Sequence, residues 1–320
     1  MVTLFQPFLA NALIYVDDIL LFSKAHEKFL TEFYNLVKSK GIMLSKKKMV
    51  IGQTSIEFLG MTISDGKYTL QPHIATSLKE FPNKISTAKQ IQQFLGIVNY
   101  MSNFIPKISK YINCLAQLLK KNPPEWNSHH IEAVQQLKKL AERLPPLQIL
   151  GPSKQVLQTK ASDEYWVVAL FKETDGKRNI CEYKSGAFKT LELHYHSMFK
   201  EILAVKNGIE KFQFHLLGHN FIVEMDMSSF SKMLQFKRKM LPHPQLLRWS
   251  NWFSQWSFQV GHIKRKDKLI TDNLSTMFFF SFLFLCVVLA VLFLTIASIS
   301  MPIWLRWGLW VSHLISHDIR

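Results

Sequence analysis

Cysteine and acidic residues are both scarce in this sequence. Its three cysteines, Cys114, Cys181 and Cys286, lie far apart and form no CxxC pair, which excludes a disulfide scaffold and a cysteine-built zinc site. Asp and Glu number 23 against 39 Lys and Arg, so the net charge is +16. A charge of this size indicates a polyanionic partner, either nucleic acid or a membrane surface. The cysteine usage favours a reducing compartment, the cytoplasm or the nucleus.

Charge is missing altogether from one long stretch near the end of the chain. Residues 277–299 (MFFFSFLFLCVVLAVLFLTIASI) carry no charged side chain and are enough to cross a bilayer as a helix. We expect either a membrane helix that anchors the chain, or apolar sequence appended to it without a membrane role. The basic character lies before this stretch, because the tail from residue 277 onward holds only Arg306, Asp318 and Arg320 as charged residues.

A proline-rich run over residues 143–153 separates a helix-like region from a strand-like region and predicts an interdomain tether. Before it, Ile91, Phe94, Leu95 and Val98 recur at helical spacing. After it, the pattern predicts three antiparallel strands, a long amphipathic helix, and alternating strands and helices, which is a mixed α/β (α+β) domain. The predicted strands are 156–162, 165–172, 179–185, 219–226 and 256–263, with the long helix around 198–212.

Two adjacent aspartates, Asp17 and Asp18, stand between two apolar strand-like runs. Neighbouring carboxylates repel each other, and a bound cation would relieve that repulsion. An exposed acidic turn is the other interpretation, because Asp favours turns without any ligand. The residues of this hairpin alone leave both interpretations open.

The flanking motifs resemble the reverse transcriptases of gypsy-type retroelements and plant pararetroviruses. They occur in the order of that family: 15–18 (YVDD), 40–42 (KGI) with 46–48 (KKK), 58–60 (FLG) and 90–100 (QIQQFLGIVNY). The resemblance implies that Asp17 and Asp18 are the catalytic, metal-binding aspartates of the polymerase palm. It also implies that Phe58, Leu59 and Gly60 form the primer grip, and that the helical region is the thumb and connection.

Only 16 residues precede Asp17, whereas the family's two-metal polymerase site needs a further aspartate from an earlier strand and a nucleotide-binding half. We therefore expect a palm remnant that does not polymerise DNA by itself.

The region after the tether resembles the ribonuclease H of the same elements, over roughly residues 154–275. The matching segments are 159–163 (TKASD), 200–205 (KEILAV), 223–226 (VEMD) and 267–275 (DKLITDNLS). In that family four carboxylates hold two Mg²⁺ ions about 4 Å apart and cut the RNA strand of an RNA·DNA hybrid. By resemblance Glu201, Asp226 and Asp272 are catalytic and metal-binding residues. Without the order of the family motifs, Glu201, Asp226 and Asp272 would be interpreted as ordinary surface residues, because isolated acids are usually exposed to solvent.

Lys160 stands where the family has its metal-bridging aspartate. This exchange removes one negative charge and adds one positive charge where divalent cations must bind, so we expect Mg²⁺ affinity to collapse. Asp163 is a poor replacement, because three residues along a strand places its side chain on the opposite face. Val167, where glycine is usual, together with Arg265 and Lys268, also fits a degenerate copy. We expect the Lys160 ammonium to lie within salt-bridge reach of Glu201 or Asp226.

Aromatic and histidine residues near these segments have competing interpretations. Trp249, Trp252, Phe253 and Trp256 either stack on bases between the basic runs 237–239 and 264–266, or pack a helix against the sheet, which their helical spacing favours. A metal site built from His194, His196, His215 and His219 has no support from any family motif.

The sequence thus predicts a pararetroviral reverse transcriptase and ribonuclease H segment with no small-molecule cofactor. Its function is either cleavage of RNA in RNA·DNA hybrids, impaired by Lys160, or hybrid binding without catalysis. An unrelated membrane-anchored role, with membrane contact through residues 277–299, rests on the apolar stretch alone. The predicted domains are a truncated palm (1–75), a helical thumb and connection (76–143), the tether (144–153), a ribonuclease H-like domain (154–276) and an apolar tail (277–320).

Overall fold

The computed structural model describes residues 5–8, 12–16, 18–22, 26–85, 87–151, 153–226, 230 and 243–263. Three sheets organise these residues, with two, four and five strands. Several predicted features lie outside the described residues: Asp17, Asp272, the basic run 237–239 and the apolar stretch 277–299. None of the helices that the structure describes is long and apolar enough to span a membrane.

The predicted hairpin around the paired aspartates is present. Strands β1 (Ala12–Tyr15) and β2 (Asp18–Leu21) pair antiparallel, and Tyr15 opposite Asp18 is the last pair of the ladder before the hairpin tip. Helix α1 (His26–Ser39) follows the hairpin, and a small aromatic core that includes Phe5, Phe8 and Phe33 packs with it. Asp18 therefore begins its strand directly at the hairpin tip.

The middle of the chain combines a four-stranded antiparallel sheet with four helices. Its strands are β3 (Ser55–Phe58), β4 (Met61–Ser64), β5 (Lys67–Leu70) and β6 (Leu147–Gln148), and its helices are α2 (Pro72–Glu80), α3 (Ala88–Tyr100), α4 (Ser109–Ala116) and α5 (Ser128–Ala141). Phe94, Val98 and Leu137 are fully buried in its core, which confirms the helical spacing seen in the sequence. The predicted tether contributes β6, which pairs with β5, so this connection is part of the sheet.

The third sheet has the order β11-β10-β7-β8-β9. β7, β8 and β9 are antiparallel neighbours, whereas β10 runs parallel to both β7 and β11. The structure describes helices α6, α7 and α8 in this part. The sequence predicted the pattern βββ-α-β-α-β-α; it did not predict α7, and a helix after β11 lies outside the described residues. The bounds are β7 (Lys154–Ala161), β8 (Tyr165–Thr174), β9 (Lys177–Ala187), α6 (Ser197–Lys211), α7 (Gln213–Leu216), β10 (Phe221–Met225), α8 (Pro244–Phe253) and β11 (Phe258–His262).

Polar contacts join the middle region to the five-stranded sheet through strand β9. The Tyr68 hydroxyl donates to the Cys181 carbonyl oxygen at 2.7 Å, and the Ser109 and Ser185 hydroxyls lie 2.8 Å apart. Ile180 of β9 also packs against the apolar core of the middle region. The edge of the large sheet is therefore held against the middle region by both hydrogen bonds and apolar packing.

Helix α6 lies close to the sheet because Gly208 has no side chain. A Cβ atom placed on Gly208 would lie 2.9 Å from both methyl carbons of Val168 on β8. Val168 is fully buried in the core that α6 shares with β7, β8 and β10. This close approach sets the height of α6 above the sheet and hence the position of Glu201 near the start of the helix.

Two glycine-to-alanine substitutions should separate the effect of this α6–β8 contact on stability from the effect of helix propensity. Gly208→Ala should cost about 1–3 kcal/mol, since the added methyl overpacks the helix–sheet interface. Gly96→Ala in α3 meets no atom within 4 Å. It should stabilise the protein by about 0.5–1 kcal/mol, because alanine is the better helix former. Chemical denaturation of both variants measures the difference, and equal effects of the two substitutions would contradict the role of Gly208.

Candidate active site

The ends of the parallel strands β7 and β10 bring Lys160 and Asp226 to one place. Gln158 is the partner of Glu224 in the ladder, and two residues further along both strands are Lys160 and Asp226. Since side chains alternate along a strand, all four of these side chains belong to the same face of the sheet. Helix α6 covers the other face, where Leu157 and Val223 are fully buried. The ladder therefore brings the ends of β7 and β10, and with them Lys160 and Asp226, to the same edge of the sheet.

Glu201 reaches the same strand end from the side of α6. Its Oε2 accepts a hydrogen bond from the Ala161 backbone N–H at 3.2 Å. The preceding residue, Lys200, is 7% exposed and its Nζ donates to the Asp163 carbonyl oxygen at 2.7 Å. Lys200 and Glu201, near the start of α6, thus hold the backbone after Lys160 by hydrogen bonds. The family order had indicated Glu201, but it gave no sign of the contact that Lys200 makes.

The expected salt bridge of Lys160 is not formed. Within the part of the chain that the structure describes, no ion pair joins the Lys160 ammonium to Glu201 or Asp226. Glu201 instead accepts a hydrogen bond from the Ala161 backbone N–H, directly after Lys160. Across the ladder, the partner of Lys160 is the buried Val167.

The residues at this strand end do not fit a divalent cation. Among the described residues, no group of three or more His, Cys, Asp or Glu side chains is arranged to hold a metal ion. Glu201 already accepts a backbone hydrogen bond, and Lys160 adds a positive charge at the end of β7, the strand that pairs with β10. Two-metal sites need several carboxylates and no competing cation. Asp272, the remaining predicted ligand, lies outside the described residues.

A charge network that the sequence did not reveal crosses the same face of the sheet. Glu224, 5% exposed, accepts two hydrogen bonds from the Arg178 guanidinium, at 2.7 and 2.8 Å. Gln158 Nε2 donates to Glu224 at 3.4 Å. Arg178 and then Lys154 bond to Glu173 and hold the pKa of that carboxyl below its usual range. Glu224, two residues before Asp226 in the chain, is therefore neutralised by protein side chains.

The second predicted site, at the β1–β2 tip, is only partly described. Asp18 is exposed at the start of β2. The proposed grip residues Leu59 and Gly60 form the tight turn between β3 and β4, with φ of 48° and 72°. A Cβ atom on Gly60 would lie 2.6 Å from the Tyr100 hydroxyl. Burial and the neighbouring Tyr15 raise the pKa of Tyr100, so the hairpin tip, the turn and the end of α3 are close together.

The tryptophan-rich helix serves packing. Trp249 and Phe253 of α8 are 3% and 4% exposed in the core of the five-stranded sheet, and Trp252 and Trp256 pack against that core. This confirms the packing interpretation over base stacking. Of the four histidines considered for metal binding, His196 caps α6 by accepting from the Met198 backbone N–H.

One protein family matches the chain directly. Residues 152–256 match the RNase H-like domain found in reverse transcriptase. The matched range contains β7 through α8, and therefore Lys160, Glu201 and Asp226.

The curated relatives are viral polyproteins. The genome polyprotein of Petunia vein clearing virus (isolate Shepherd) is 51% identical over 278 residues, which is 86% of this chain and 13% of that protein. The enzymatic polyprotein of Cauliflower mosaic virus (strain D/H) is 37% identical over 286 residues, which is 86% of this chain and 42% of that protein. The chain thus spans less than half the length of these relatives.

Solved structures share the fold. The foamy viral protease–reverse transcriptase in complex with dsDNA superposes with a TM-score of 0.69 at 22% identity, over 84% of this chain and 57% of that chain. The same foamy viral protein in complex with an RNA/DNA hybrid gives a TM-score of 0.70 at 22% identity, over 82% of this chain and 37% of that chain. At this identity the likeness establishes the fold.

Proposed function

Because the chain belongs to the reverse transcriptase and ribonuclease H region of pararetroviral polyproteins, we propose that it binds RNA·DNA hybrid without cutting the RNA efficiently. The observation that carries this proposal is that Lys160 and Asp226 follow the paired residues Gln158 and Glu224 at the ends of the parallel strands β7 and β10. By resemblance to the ribonuclease H family, these strand ends are where catalytic acids are expected. The foamy viral structures that share this fold are complexes with dsDNA and with an RNA/DNA hybrid, which supports duplex binding. The cation of Lys160 opposes the metal ions that cleavage needs.

The net charge supports binding over catalysis. The chain carries +16 in total, and nearly all of it precedes the apolar tail. Lysine and arginine side chains bind duplex phosphates without metal ions, and this binding releases counterions. Recognition of a hybrid proceeds through backbone shape and 2′-hydroxyl groups, so it needs no particular base sequence.

Hybrid binding should weaken steeply with salt. For the full chain and a fluorescently labelled hybrid, we expect the affinity to fall by about 10-fold or more between 50 and 200 mM salt, as phosphate contacts are screened. In the same samples with Mg²⁺, the RNA strand should stay intact over the time of the measurement. Fluorescence anisotropy reports binding, and a denaturing gel reports cleavage.

The controls are a hybrid of different sequence, which should bind equally well, and a known ribonuclease H, which should cut the RNA in the same buffer. An affinity that is flat across this salt range would contradict binding through phosphates. Rapid RNA cleavage by the unmodified chain would contradict the inhibitory role of Lys160.

A second candidate is weak cleavage by the incomplete set of acids. Glu201 of α6 contacts the end of β7, and Asp226 follows β10, so two of the predicted acids are still present. Their presence favours weak cleavage over a complete loss of the catalytic site. Slow cleavage that requires Glu201 would support it, whereas cleavage that persists in a Glu201→Gln variant would come from a contaminating nuclease.

A further inference from the structure

A histidine side chain holds the first turn of helix α5. Asn127 is the N-cap residue, and its Oδ1 accepts a hydrogen bond from the His129 backbone N–H at 3.1 Å. In return, Nδ1 of His130 accepts a hydrogen bond from the Asn127 backbone N–H at 3.0 Å. The two side chains form a capping box, in which the third helical residue is usually Glu or Gln. In this protein a titratable imidazole takes that position.

His130 completes the capping box only while its imidazole is neutral. A backbone N–H can only donate, so Nδ1 must offer its lone pair and the ring proton must be on Nε2. Protonation would turn Nδ1 into a donor that faces the N–H of Asn127, and this N–H would lose its acceptor. A single proton therefore removes one half of the capping box.

The position of His130 disfavours its charged form. The residue is 4% exposed, and burial, followed by the neighbouring His129, lowers the pKa of His130. The first turn of a helix already has partial positive charge from the helix dipole, and the first turn of α5 contains no acidic residue that would offset a cation there. Burial, hydrogen bonding and the helix dipole therefore all favour the neutral imidazole.

Charged groups of both signs surround the start of α5, where His130 lines a cavity of about 970 Å³. Lys110 of α4 opposes an imidazolium, whereas Glu132 of α5 and Glu164, between β7 and β8, favour one. The ring of Trp126, 5.3 Å from the imidazole, also favours a cation. The other titratable residues in the lining are Tyr111, Cys114 and Tyr165. Since the pKa of His130 is lowered among these groups, burial outweighs the two carboxylates.

The remainder of α5 is anchored independently of the capping box. Val134 and Leu137 are fully buried in the core of the middle region. Helix α2 also packs against α5, and its Lys79 pairs with Glu142 at the C-terminal end of α5 at 3.1 Å. Loss of the capping box should therefore open the first turn and leave the later turns of the helix packed.

We propose that the start of α5 is an acid-sensitive switch, in which protonation of His130 releases the first turn and opens the cavity that it shares with residues 164–165. The stability that the neutral imidazole contributes is present above the ordinary histidine pKa of about 6.5, and it is lost as the pH falls through the lower pKa of the folded state. The switch does not depend on the binding of a hybrid.

Hydrogen–deuterium exchange of the full chain, measured by mass spectrometry and corrected for the intrinsic effect of pH on exchange, tests the proposal. Between about pH 7.5 and about pH 5, the opening equilibrium of residues 127–134 should rise about 10-fold, because the open state binds a proton that the folded turn excludes. The start of α3 is the internal control. Its N-cap Thr87 hydroxyl accepts from the Gln90 backbone N–H without a histidine, so its protection should not change.

Two histidine variants assign the effect to one side chain. His130→Gln keeps an acceptor at the third helical position without a titratable group, so its first turn should stay protected at both pH values. His129→Gln changes the exposed neighbour and should keep most of the acid-induced opening. If His130→Gln folds poorly, the midpoint of opening in the unmodified chain decides, and it should lie below about pH 6.5.

Two results would overturn the proposal. Equal acid-induced opening in His130→Gln and in the unmodified chain would assign the effect to another group. A first turn that keeps its protection in the unmodified chain at about pH 5 would show that protonation of His130 does not release it.

Discussion

Replacing Lys160 by aspartate should raise the rate at which the chain cleaves RNA in a hybrid by about 100-fold or more in Mg²⁺. The substitution changes the charge beside Asp226 by two units and supplies the carboxylate that the family places there. Metal ions contribute several kcal/mol of transition-state stabilisation, and about 1.4 kcal/mol corresponds to each factor of ten. Single-turnover cleavage of a labelled hybrid is the appropriate measurement.

Three further variants make this prediction specific. Lys160→Asn removes the cation without adding a ligand and should give a much smaller gain. Lys177→Asp makes the same charge change at an exposed strand end and should give none. Adding Glu201→Gln to Lys160→Asp should abolish the gain. If Lys160→Asp leaves cleavage unchanged while hybrid binding is retained, the assignment of Lys160 to the metal position is wrong.

Removing Arg178 should destabilise the protein by about 3–5 kcal/mol, because the nearly buried Glu224 carboxylate would lose its charged partner. Arg178 makes two hydrogen bonds to Glu224 and another to Glu173, so one substitution removes three hydrogen bonds of the network. Urea unfolding of Arg178→Met at neutral pH measures the loss. Methionine keeps part of the side-chain volume, so the effect reports mainly the unpaired charge.

The double variant Arg178→Met with Glu224→Gln should recover most of this stability, since glutamine leaves no buried charge. The surface pair of Lys28 with Glu32 supplies the matched control, because both side chains are largely exposed. Lys28→Ala should cost about 0–0.5 kcal/mol. A loss below about 1 kcal/mol for Arg178→Met would show that Glu224 does not depend on this partner.

The elements could be predicted from sequence because local patterns specify them. Short apolar or alternating runs predicted β7, β8 and β9, and the turn residues 173–177 located the hairpin between β8 and β9. The family motifs placed Glu201 and Asp226 at converging strand and helix ends. These predictions depend on neighbours along the chain or on motif order, both of which a single sequence contains.

Contacts between distant segments could not be predicted in the same way. Arg178 and Glu224 are 46 residues apart and meet only because β9 and β10 belong to one sheet. The salt bridge expected for Lys160 is not formed, and Glu201 instead accepts from the backbone N–H of Ala161, a contact that the sequence did not reveal. The residues of the tether gave no sign of β6, whose partner β5 lies far upstream in the chain.

Mg²⁺ binding to the chain with and without Lys160, measured by isothermal titration calorimetry in the absence of nucleic acid, tests most directly whether Lys160 excludes the metal ions. If it does, the unmodified chain will show no saturable Mg²⁺ binding, and Lys160→Asp will show clear binding that the additional Glu201→Gln substitution removes. Saturable Mg²⁺ binding by the unmodified chain that is lost in Glu201→Gln would contradict the exclusion of metal ions by Lys160.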